Sequence, residues 1–278
     1  ALASVENGFT LFSKLVCDVL KEYSGSVLAT ETVQSLLKVE SENIPSETSK
    51  NEQIPQCKIF SGVNSYPTYP LYAKISRSLY DWMKNGKGET RNPKLLEECR
   101  NITEKQIAND FVDQKLKSCL VAVESCTKKR LIQEILENLG LRGILDLLGM
   151  KQTVGSVDMF PPPLSILLES FKRKHKPNAV LSCGARALSK HCHRDSTSQW
   201  WGTSTGSESN KNEHANQVLE KILSDAVWIN IHLLPHDVKV LEVRNELGYG
   251  ARWTCDGTTF RGFLEPQMND GHSIGWRH

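Results

Sequence analysis

The dipeptide Asp256-Gly257 constrains the fold more than any other feature, because it is typical of a two-residue β-hairpin turn. A type I′ turn needs a positive φ at both central residues, and these two residue types adopt it readily. The turn predicts two antiparallel strands in which Trp253 faces Phe260 and Arg252 faces Arg261. Side chains alternate across a strand, so the hairpin is expected to have one apolar face and one charged face.

The two faces of this hairpin are expected to differ in burial. The predicted core face carries Tyr249, Ala251, Trp253, Phe260 and Leu264. The predicted charged face carries Arg252, Thr254, Thr259, Arg261 and Glu265, with Phe263 among them. A four-residue turn over 245–248 brings a third strand, 238–244, alongside. That strand adds Lys239 to the charged face, and Val238 and Val240 to the core face.

Two arginines that lie directly opposite each other repel, and something must offset this cost. In one interpretation, solvent screens the charges and Glu265 or another carboxylate balances them. In the other, the guanidinium groups of Arg252 and Arg261 hold an anionic ligand such as a phosphate. The sequence leaves both interpretations open.

The residues before this hairpin predict a further strand. Trp228, Asn230 and His232 alternate with Ile229, Ile231 and Leu233, which gives one mixed and one apolar face. His232 and His236 flank the end of this strand. A histidine in such a place is commonly a hydrogen-bonded structural residue. By residue type these two are nevertheless the best candidates for a general acid or base.

The first part of the chain is predicted to be helical, because apolar residues recur at helical spacing over 4–23, 71–84, 104–123 and 128–139. Residues 40–56 are rich in Ser, Glu, Asn, Pro and Lys and predict a mobile loop. The predicted fold class is α+β, with a helical N-terminal region packed on a C-terminal antiparallel sheet with a few helices. We divide the chain into a mainly helical region, 1–176, and a C-terminal α/β module, 177–278, which either stand as two units or form one continuous domain.

Composition narrows the class of protein. The net charge of +2 provides no global field that would recruit nucleic acid, so any basic patch must be local. No apolar run reaches membrane-spanning length, so we expect no membrane partner. The eight cysteines contain no Cys-x-x-Cys pair, which favours reduced thiols and an intracellular location in cytoplasm or nucleus.

Histidine and tryptophan are concentrated in the last third of the chain, where seven of the eight histidines and five of the six tryptophans follow Lys190. This asymmetry predicts that the C-terminal module carries the chemistry or recognition. Residues 184–194 predict a helix that opens at a glycine, where backbone donors suit an anion and Arg186 lies nearby. Trp200 and Trp201 are candidates for stacking on a base or another ring.

A metal site and a cofactor are not predicted. The run 191–193 (His-Cys-His) offers three ligand types, but successive helical residues point about 100° apart and do not converge. No His-Glu-x-x-His motif or paired-cysteine motif supports a metal elsewhere.

Two classes of function remain open. The first is a binding or catalytic site for a phosphate-bearing ligand, including nucleic acid, with His232 or His236 as acid or base. Its anion-binding residues would be Arg186, Lys239, Arg252 and Arg261. A nuclease variant of this hypothesis uses Asp237, Glu242 and Arg244, which resemble an Asp…Glu-x-Lys pattern with arginine in place of lysine. The second class is a non-enzymatic interaction module whose tryptophans and sheet face contact a protein partner.

Three C-terminal segments carry a family resemblance. They are 249–253 (Tyr-Gly-Ala-Arg-Trp), 260–267 (Phe-Arg-Gly-Phe-Leu-Glu-Pro-Gln) and 270–278 (Asp-Gly-His-Ser-Ile-Gly-Trp-Arg-His). Together they resemble the C-terminal signature of an uncharacterised eukaryotic conserved-protein family. The resemblance covers about residues 178–278 and implies no catalytic residue.

Overall fold

The protein has an α+β fold, as predicted. The computed structural model describes residues 2–40, 65–89, 91–99, 102–194 and 198–267. Most of the predicted mobile loop, 41–56, lies outside the described residues. The helices are α1 (Leu2–Lys21), α2 (Thr30–Leu37), α3 (Leu71–Asn85), α4 (Ile102–Val121), α5 (Ser125–Leu147), α6 (Leu164–Lys172), α7 (Cys183–Arg194) and α8 (Glu208–Ser224). The strands are β1 (Ala226–Leu234), β2 (Val238–Asn245), β3 (Gly250–Thr254) and β4 (Phe260–Leu264).

The N-terminal helices pack on one another through apolar positions at helical spacing. In α3, Leu71, Ile75 and Leu79 recur every four residues, and all three are fully buried. The helix ends at Gly86, whose φ of 79° favours glycine. Buried apolar side chains of these helices and of the sheet belong to one continuous core cluster. Within the described ranges, no helix combines the length and apolar character that crossing a bilayer requires.

The four strands form one antiparallel sheet in the order β1-β2-β3-β4. Helices α6, α7 and α8 pack against its core face, which carries Leu241, Val243, Ala251 and Trp253. The outer edge of β1 is paired with the segment Met150–Val157, defined here as the edge segment. Lys151 N donates to Ile229 O at 2.7 Å, and Val157 N donates to Ile231 O at 2.8 Å. This pairing satisfies backbone groups that an open edge would leave exposed.

The predicted register of β2 against β3 is wrong by one residue. Arg244 pairs with Gly250, and residues 246–249 rather than 245–248 connect the two strands. A one-residue shift moves every side chain of a strand to the other face. Lys239 therefore does not lie on the charged face. Instead, Leu241 and Val243 enter the core.

The predicted pairing of β3 with β4 is correct only next to the turn. Trp253 pairs with Phe260, but Arg252 pairs with Gly262, because a β-bulge at Arg261 adds one residue to β4. Gly262 has a φ of 140°, a conformation that favours glycine over other residues. The prediction that Arg252 and Arg261 face each other is therefore wrong.

The same bulge changes the faces of the residues that follow it. Phe263 pairs with Ala251 and is buried in the core cluster rather than exposed on the charged face. Glu265 consequently turns toward the core side of the sheet, where it contacts residues of α7 and of the loop after it.

Candidate functional site

Four charged or titratable side chains meet on the sheet face opposite the main core: His232, Glu242, Arg244 and Arg252, defined here as the polar cluster. The strand register brings them together, since Glu242 pairs with both Asn230 and Arg252. His232 lies two residues from Asn230, and Arg244 lies two residues from Glu242. Residues two apart share a face, so all four side chains project to the same side.

Glu242 lies at the centre of this polar cluster and is 4% exposed. Its Oε1 accepts a hydrogen bond from Arg244 Nε at 2.5 Å. Its Oε2 accepts hydrogen bonds from Arg252 Nη2 at 2.8 Å and Arg252 Nε at 3.2 Å. His232 Nε2 lies 3.4 Å from the same oxygen. The carboxylate thus holds three cationic or polar groups in fixed positions.

The ionisation of Glu242 follows from these contacts. Burial alone would raise the pKa of this carboxyl group. The hydrogen bond from His232 and the positive charges of Arg244 and Arg252 outweigh burial, and the pKa lies well below its ordinary value of 4.5. An ionised carboxylate only accepts hydrogen bonds, so the Nε2 atom of His232 carries the proton in this contact. The Nδ1 atom has a long contact of 3.4 Å with the carbonyl oxygen of Leu233 on the exposed side, and it is the nitrogen that Glu242 does not contact.

The polar cluster has a net positive charge, because one carboxylate faces two guanidinium groups. Arg244 is buried, and its Nη1 also donates to the carbonyl oxygens of Gly248 at 2.6 Å and Glu265 at 2.8 Å. The side chains of Arg252 and His232 are each 19% exposed. These two form the accessible side of the cluster, and Nη1 of Arg252 has no acceptor among the described residues. The arrangement therefore suits an anion.

A neutral hydrogen-bond network adjoins the polar cluster at the edge segment. Ser156 Oγ donates to Asn230 Oδ1 at 2.8 Å, and Asn230 Nδ2 donates to Thr153 Oγ1 at 3.0 Å. Ser156 also forms a backbone bridge with His232. These contacts hold β1, the strand that carries His232, against the edge segment.

A second histidine–glutamate pair lies on the core face of the sheet. His191 Nδ1 is 2.6 Å from Glu265 Oε1, and Trp201 Nε1 donates to both carboxylate oxygens at 2.8 and 2.9 Å. His191 also lies beside Trp201, with ring centroids 4.8 Å apart. No guanidinium group contacts the Glu265 carboxylate within the part of the chain that the structure describes.

The tryptophans that sequence reasoning assigned to ligand stacking are largely occupied by the protein. Trp201 is fully buried, so no base can reach its ring in this conformation. Trp200 is half-buried and stacks on Tyr249, with centroids 3.9 Å apart. The Lys221 ammonium also lies 4.6 Å from the Trp200 ring centroid. Trp253 is fully buried as well, so the tryptophans that the structure describes offer little surface for a protein partner; Trp276 lies outside the described residues.

The remaining predicted site residues are dispersed. Arg186 is exposed on α7, which covers the core face, so the sheet separates it from Arg252. Arg261 is exposed at the bulge and Lys239 is exposed near the start of β2. His236 is exposed in the turn Pro235–Asp237, immediately after the strand that carries His232. Of the eight predicted residues, His232 and Arg252 are the two that contact the same carboxylate, which is that of Glu242. Trp201 contacts the Glu265 carboxylate instead.

Sequence reasoning did not identify Glu242 and Arg244 as the centre of the site. Together with Asp237 they form a nuclease-like sequence pattern. Asp237, however, lies in the exposed turn Pro235–Asp237 and has a φ of 58°. The available signal was the alternation of Val240, Glu242 and Arg244 with Leu241 and Val243. Two charged residues at alternate positions of an otherwise apolar strand share one face of that strand. When they are buried, they indicate an ion pair on the face opposite the apolar one.

Residues 171–265 match the family model described as "CdiA C-terminal tRNase toxin domain". The match covers about a third of the chain and includes α7, α8, the whole sheet and both histidine–glutamate pairs. Neither the comparison with curated proteins nor that with solved structures gave a match. The C-terminal module is therefore similar to a nuclease toxin domain, and the N-terminal helices lie outside the similarity.

Proposed function

We propose that the C-terminal module binds RNA and cleaves it at the polar cluster, with His232 as the acid–base group and Arg252 as the phosphate-binding group. The observation that carries this proposal is the exposed side of the cluster, where a histidine and a guanidinium group are held by one buried carboxylate. The similarity of residues 171–265 to a tRNase toxin domain supports RNA as the substrate class. Transfer RNA is the first substrate to test.

The chemistry of RNA cleavage matches these groups. When the 2′-oxygen attacks phosphorus, the bond from phosphorus to the 5′-oxygen breaks. A base accepts the proton of the 2′-hydroxyl, and an acid returns a proton to the leaving 5′-oxygen. Negative charge grows on the phosphate oxygens, where a positively charged donor stabilises it.

Each member of the polar cluster takes a distinct part in this scheme. His232 performs one of the two proton transfers through Nδ1, because Glu242 holds its Nε2 and the substrate can replace the long 3.4 Å contact of Nδ1 with the carbonyl oxygen of Leu233. Arg252 donates to the phosphate through the part of its guanidinium group that Glu242 leaves open. Glu242 and Arg244 are positioning residues, since both are buried and neither reaches the substrate. His236, in the adjoining turn, is our candidate for the second proton transfer.

The experiment is a cleavage assay with the full chain, using tRNA and a tRNA transcript whose 2′-hydroxyls at the mapped cut sites are replaced by hydrogen. We expect cleavage of the first and none at the replaced positions, with a 2′,3′-cyclic phosphate as product. We also expect the variant His232→Ala to lose the activity while its melting temperature and circular dichroism stay unchanged. Full activity in a folded His232→Ala variant, or no cleavage of any RNA by the parent chain, contradicts the proposal.

A gel-shift experiment with the same RNA distinguishes binding without cleavage. A chain that shifts tRNA in a gel and loses the shift on Arg252→Ala, but never cuts, would retain the anion site and overturn the catalytic role of His232. Salt dependence supplies a second readout, because each phosphate contact adds about one unit to the slope of log K against log salt.

A further inference from the structure

A cavity of about 460 Å³ lies among α3, α4, α5 and the start of the edge segment, and no residue of the polar cluster lines it. A volume of this size is within the usual range for small-molecule sites. Its walls include Trp82, Ala108, Leu139, Leu147 and Met150, which are apolar. Lys105 and Lys151 are among its charged lining residues. The cavity therefore combines an apolar body with charged groups, as a site for an organic ligand requires.

The cavity is lined by charged side chains of both signs. Four cationic side chains line it, and they are Lys87, Lys105, Arg142 and Lys151. Three carboxylates line it, and they are Glu98, Glu104 and Asp146. The lining residues alone carry one more positive than negative charge, and Asp158, outside the lining, also pairs with Arg142 at 2.6 Å.

Two of the cations are paired with carboxylates of the lining. Lys151 is buried and lies 3.1 Å from Glu98, and Arg142 lies 2.9 Å from Asp146. Lys105 is half-buried and has no partner among the residues that the structure describes. A cation in a partly enclosed site gains by pairing with an anion. Lys105 is thus the group with most to gain from a ligand.

We propose that this cavity binds a small organic anion, with a carboxylate or phosphate head near Lys105 and an apolar body against Trp82 and Leu139. This site is separate from RNA cleavage and does not depend on it. Lys151 adds a buried ammonium group whose hydrogen bonds go to Glu98 and to the carbonyl oxygen of Arg91 at 3.2 Å. Lys151 is thus already paired with Glu98, and the cation left for the ligand is Lys105 on α4.

The cavity is connected to the polar cluster through one short piece of backbone. Lys151 and Gln152 line the cavity, whereas Thr153 and Ser156 bond to Asn230 beside the cluster. Lys151 N also donates to Ile229 O in β1. A ligand that holds Lys151 in place will therefore slow the opening of the edge segment from the sheet.

The binding test uses the full chain and three probes of similar body: benzoate, phenyl phosphate and the neutral benzyl alcohol. Each is titrated at constant ionic strength and followed by NMR, since ligands of this size reach a Kd on the order of 1 mM. We expect saturable binding of at least one anion and none of benzyl alcohol. The carboxylate and phosphate arms decide which head group the site takes. Equal binding of all three probes, or of none, overturns the proposal.

Two variants locate the site, and one serves as a matched control. Lys105→Met removes the charge at nearly constant length and is expected to weaken anion binding at least tenfold. Ala108→Phe fills the cavity and is expected to abolish binding. Lys117→Met changes an exposed lysine of the same helix and should leave binding unchanged. Anion binding that survives both cavity variants, each shown to be folded by circular dichroism, would place the ligand elsewhere and overturn the assignment.

Hydrogen exchange tests the connection to the sheet. With the bound anion, we expect the amides of Lys151 and Val157 to exchange several-fold more slowly, because both donate to β1. Unchanged exchange under saturating anion would contradict the connection while leaving the binding site in place.

Discussion

Two histidine–glutamate pairs lie on opposite faces of the same sheet, and they differ in what surrounds the carboxylate. Glu265 is held by His191 and the Trp201 indole, in an aromatic environment without a guanidinium group among the described residues. Glu242 is held by His232 and by two arginines. The first pair is enclosed by aromatic side chains and ties α7 to the end of β4. The second has surplus positive charge directed toward solvent.

The difference shows that a short histidine–carboxylate distance does not identify a catalytic pair. His191 lies closer to its carboxylate, at 2.6 Å, than His232 does, at 3.4 Å. The tighter pair is nevertheless packed against Trp201 and Phe263, and its side chain is only 13% exposed. The exposures of the two histidines are close, at 13% and 19%, so it is the positive charge around the second pair that favours His232 as the acid–base group.

Replacing the two histidines separately should produce the largest contrast. We expect His232→Ala to reduce the rate of RNA cleavage by about 10²- to 10⁴-fold, the usual contribution of a general acid or base. We expect His191→Ala to lower stability and leave kcat within a few-fold of the parent. Single-turnover cleavage of tRNA, with melting curves on both variants, measures the two effects. A greater loss of kcat in His191→Ala than in His232→Ala would reverse the assignment of the pairs.

The fold class could be predicted from the sequence because its signals are local. Apolar spacing gave the helices, and Asp256-Gly257 gave the last hairpin together with the pair Trp253–Phe260. The faces of the strands could not be predicted in this way. They depend on whether residues 245–248 or residues 246–249 connect β2 to β3, and on a bulge marked only by Gly262.

These register errors explain why the predicted site was only partly correct. With β2 displaced by one residue, Lys239 is predicted to share the charged face with Arg252, and Glu242 is not predicted to contact Arg252. The observed register pairs Glu242 with Arg252 across two strands and removes the expected repulsion from Arg261. The histidine could be identified from its residue type. The carboxylate that orients it could be placed only once the pairing of the strands was known.

Neutralising Glu242 and Glu265 one at a time should lower the free energy of unfolding by different amounts. Glu242→Gln leaves two guanidinium groups without their buried counter-charge, and we expect it to cost about 3–5 kcal/mol in the free energy of unfolding. We expect Glu265→Gln to cost less, because an amide oxygen still accepts from Trp201 and no guanidinium group loses its charge partner. Urea denaturation at neutral pH measures both values. Equal losses would show that the arginines do not set the contrast.

The pH dependence of stability gives an independent check on Glu242. Its pKa in the folded protein lies well below 4.5, so the unfolded chain binds the proton first as pH falls. The contribution of Glu242 is therefore present at neutral pH and is lost as pH falls from the ordinary carboxyl range toward the lower pKa of the folded state. We expect Glu242→Gln to show a shallower loss of stability below about pH 5 than the parent. Parallel curves for parent and variant would contradict the lowered pKa.

Removing one arginine at a time should affect RNA more than stability. Arg252→Ala is expected to weaken the transition-state interaction by about 1.5–3 kcal/mol, the range for hydrogen bonds to charged groups. Arg261→Ala serves as the matched control, because Arg261 is exposed on the neighbouring strand and has no partner among the described residues. kcat/KM for tRNA, measured at two salt concentrations, separates a specific contact from general charge attraction. Comparable losses in the two variants would indicate a diffuse basic surface instead of a phosphate site at the polar cluster.

The smallest effect on stability is expected when the His191–Glu265 pair on the core face loses its hydrogen bond from the Trp201 indole. Trp201→Phe removes the Nε1 hydrogen bond to Glu265 and some buried volume, while the His191 contact stays. We expect a loss of about 1–2 kcal/mol in stability. We expect no change in kcat, because the backbone carbonyl of Glu265 still accepts from Arg244 and the polar cluster keeps its geometry. Melting curves and tRNA cleavage on this one variant measure both quantities. A fall in kcat at unchanged KM would mean that the two faces are coupled through Glu265 and Arg244, and that the core-face pair also positions the catalytic groups.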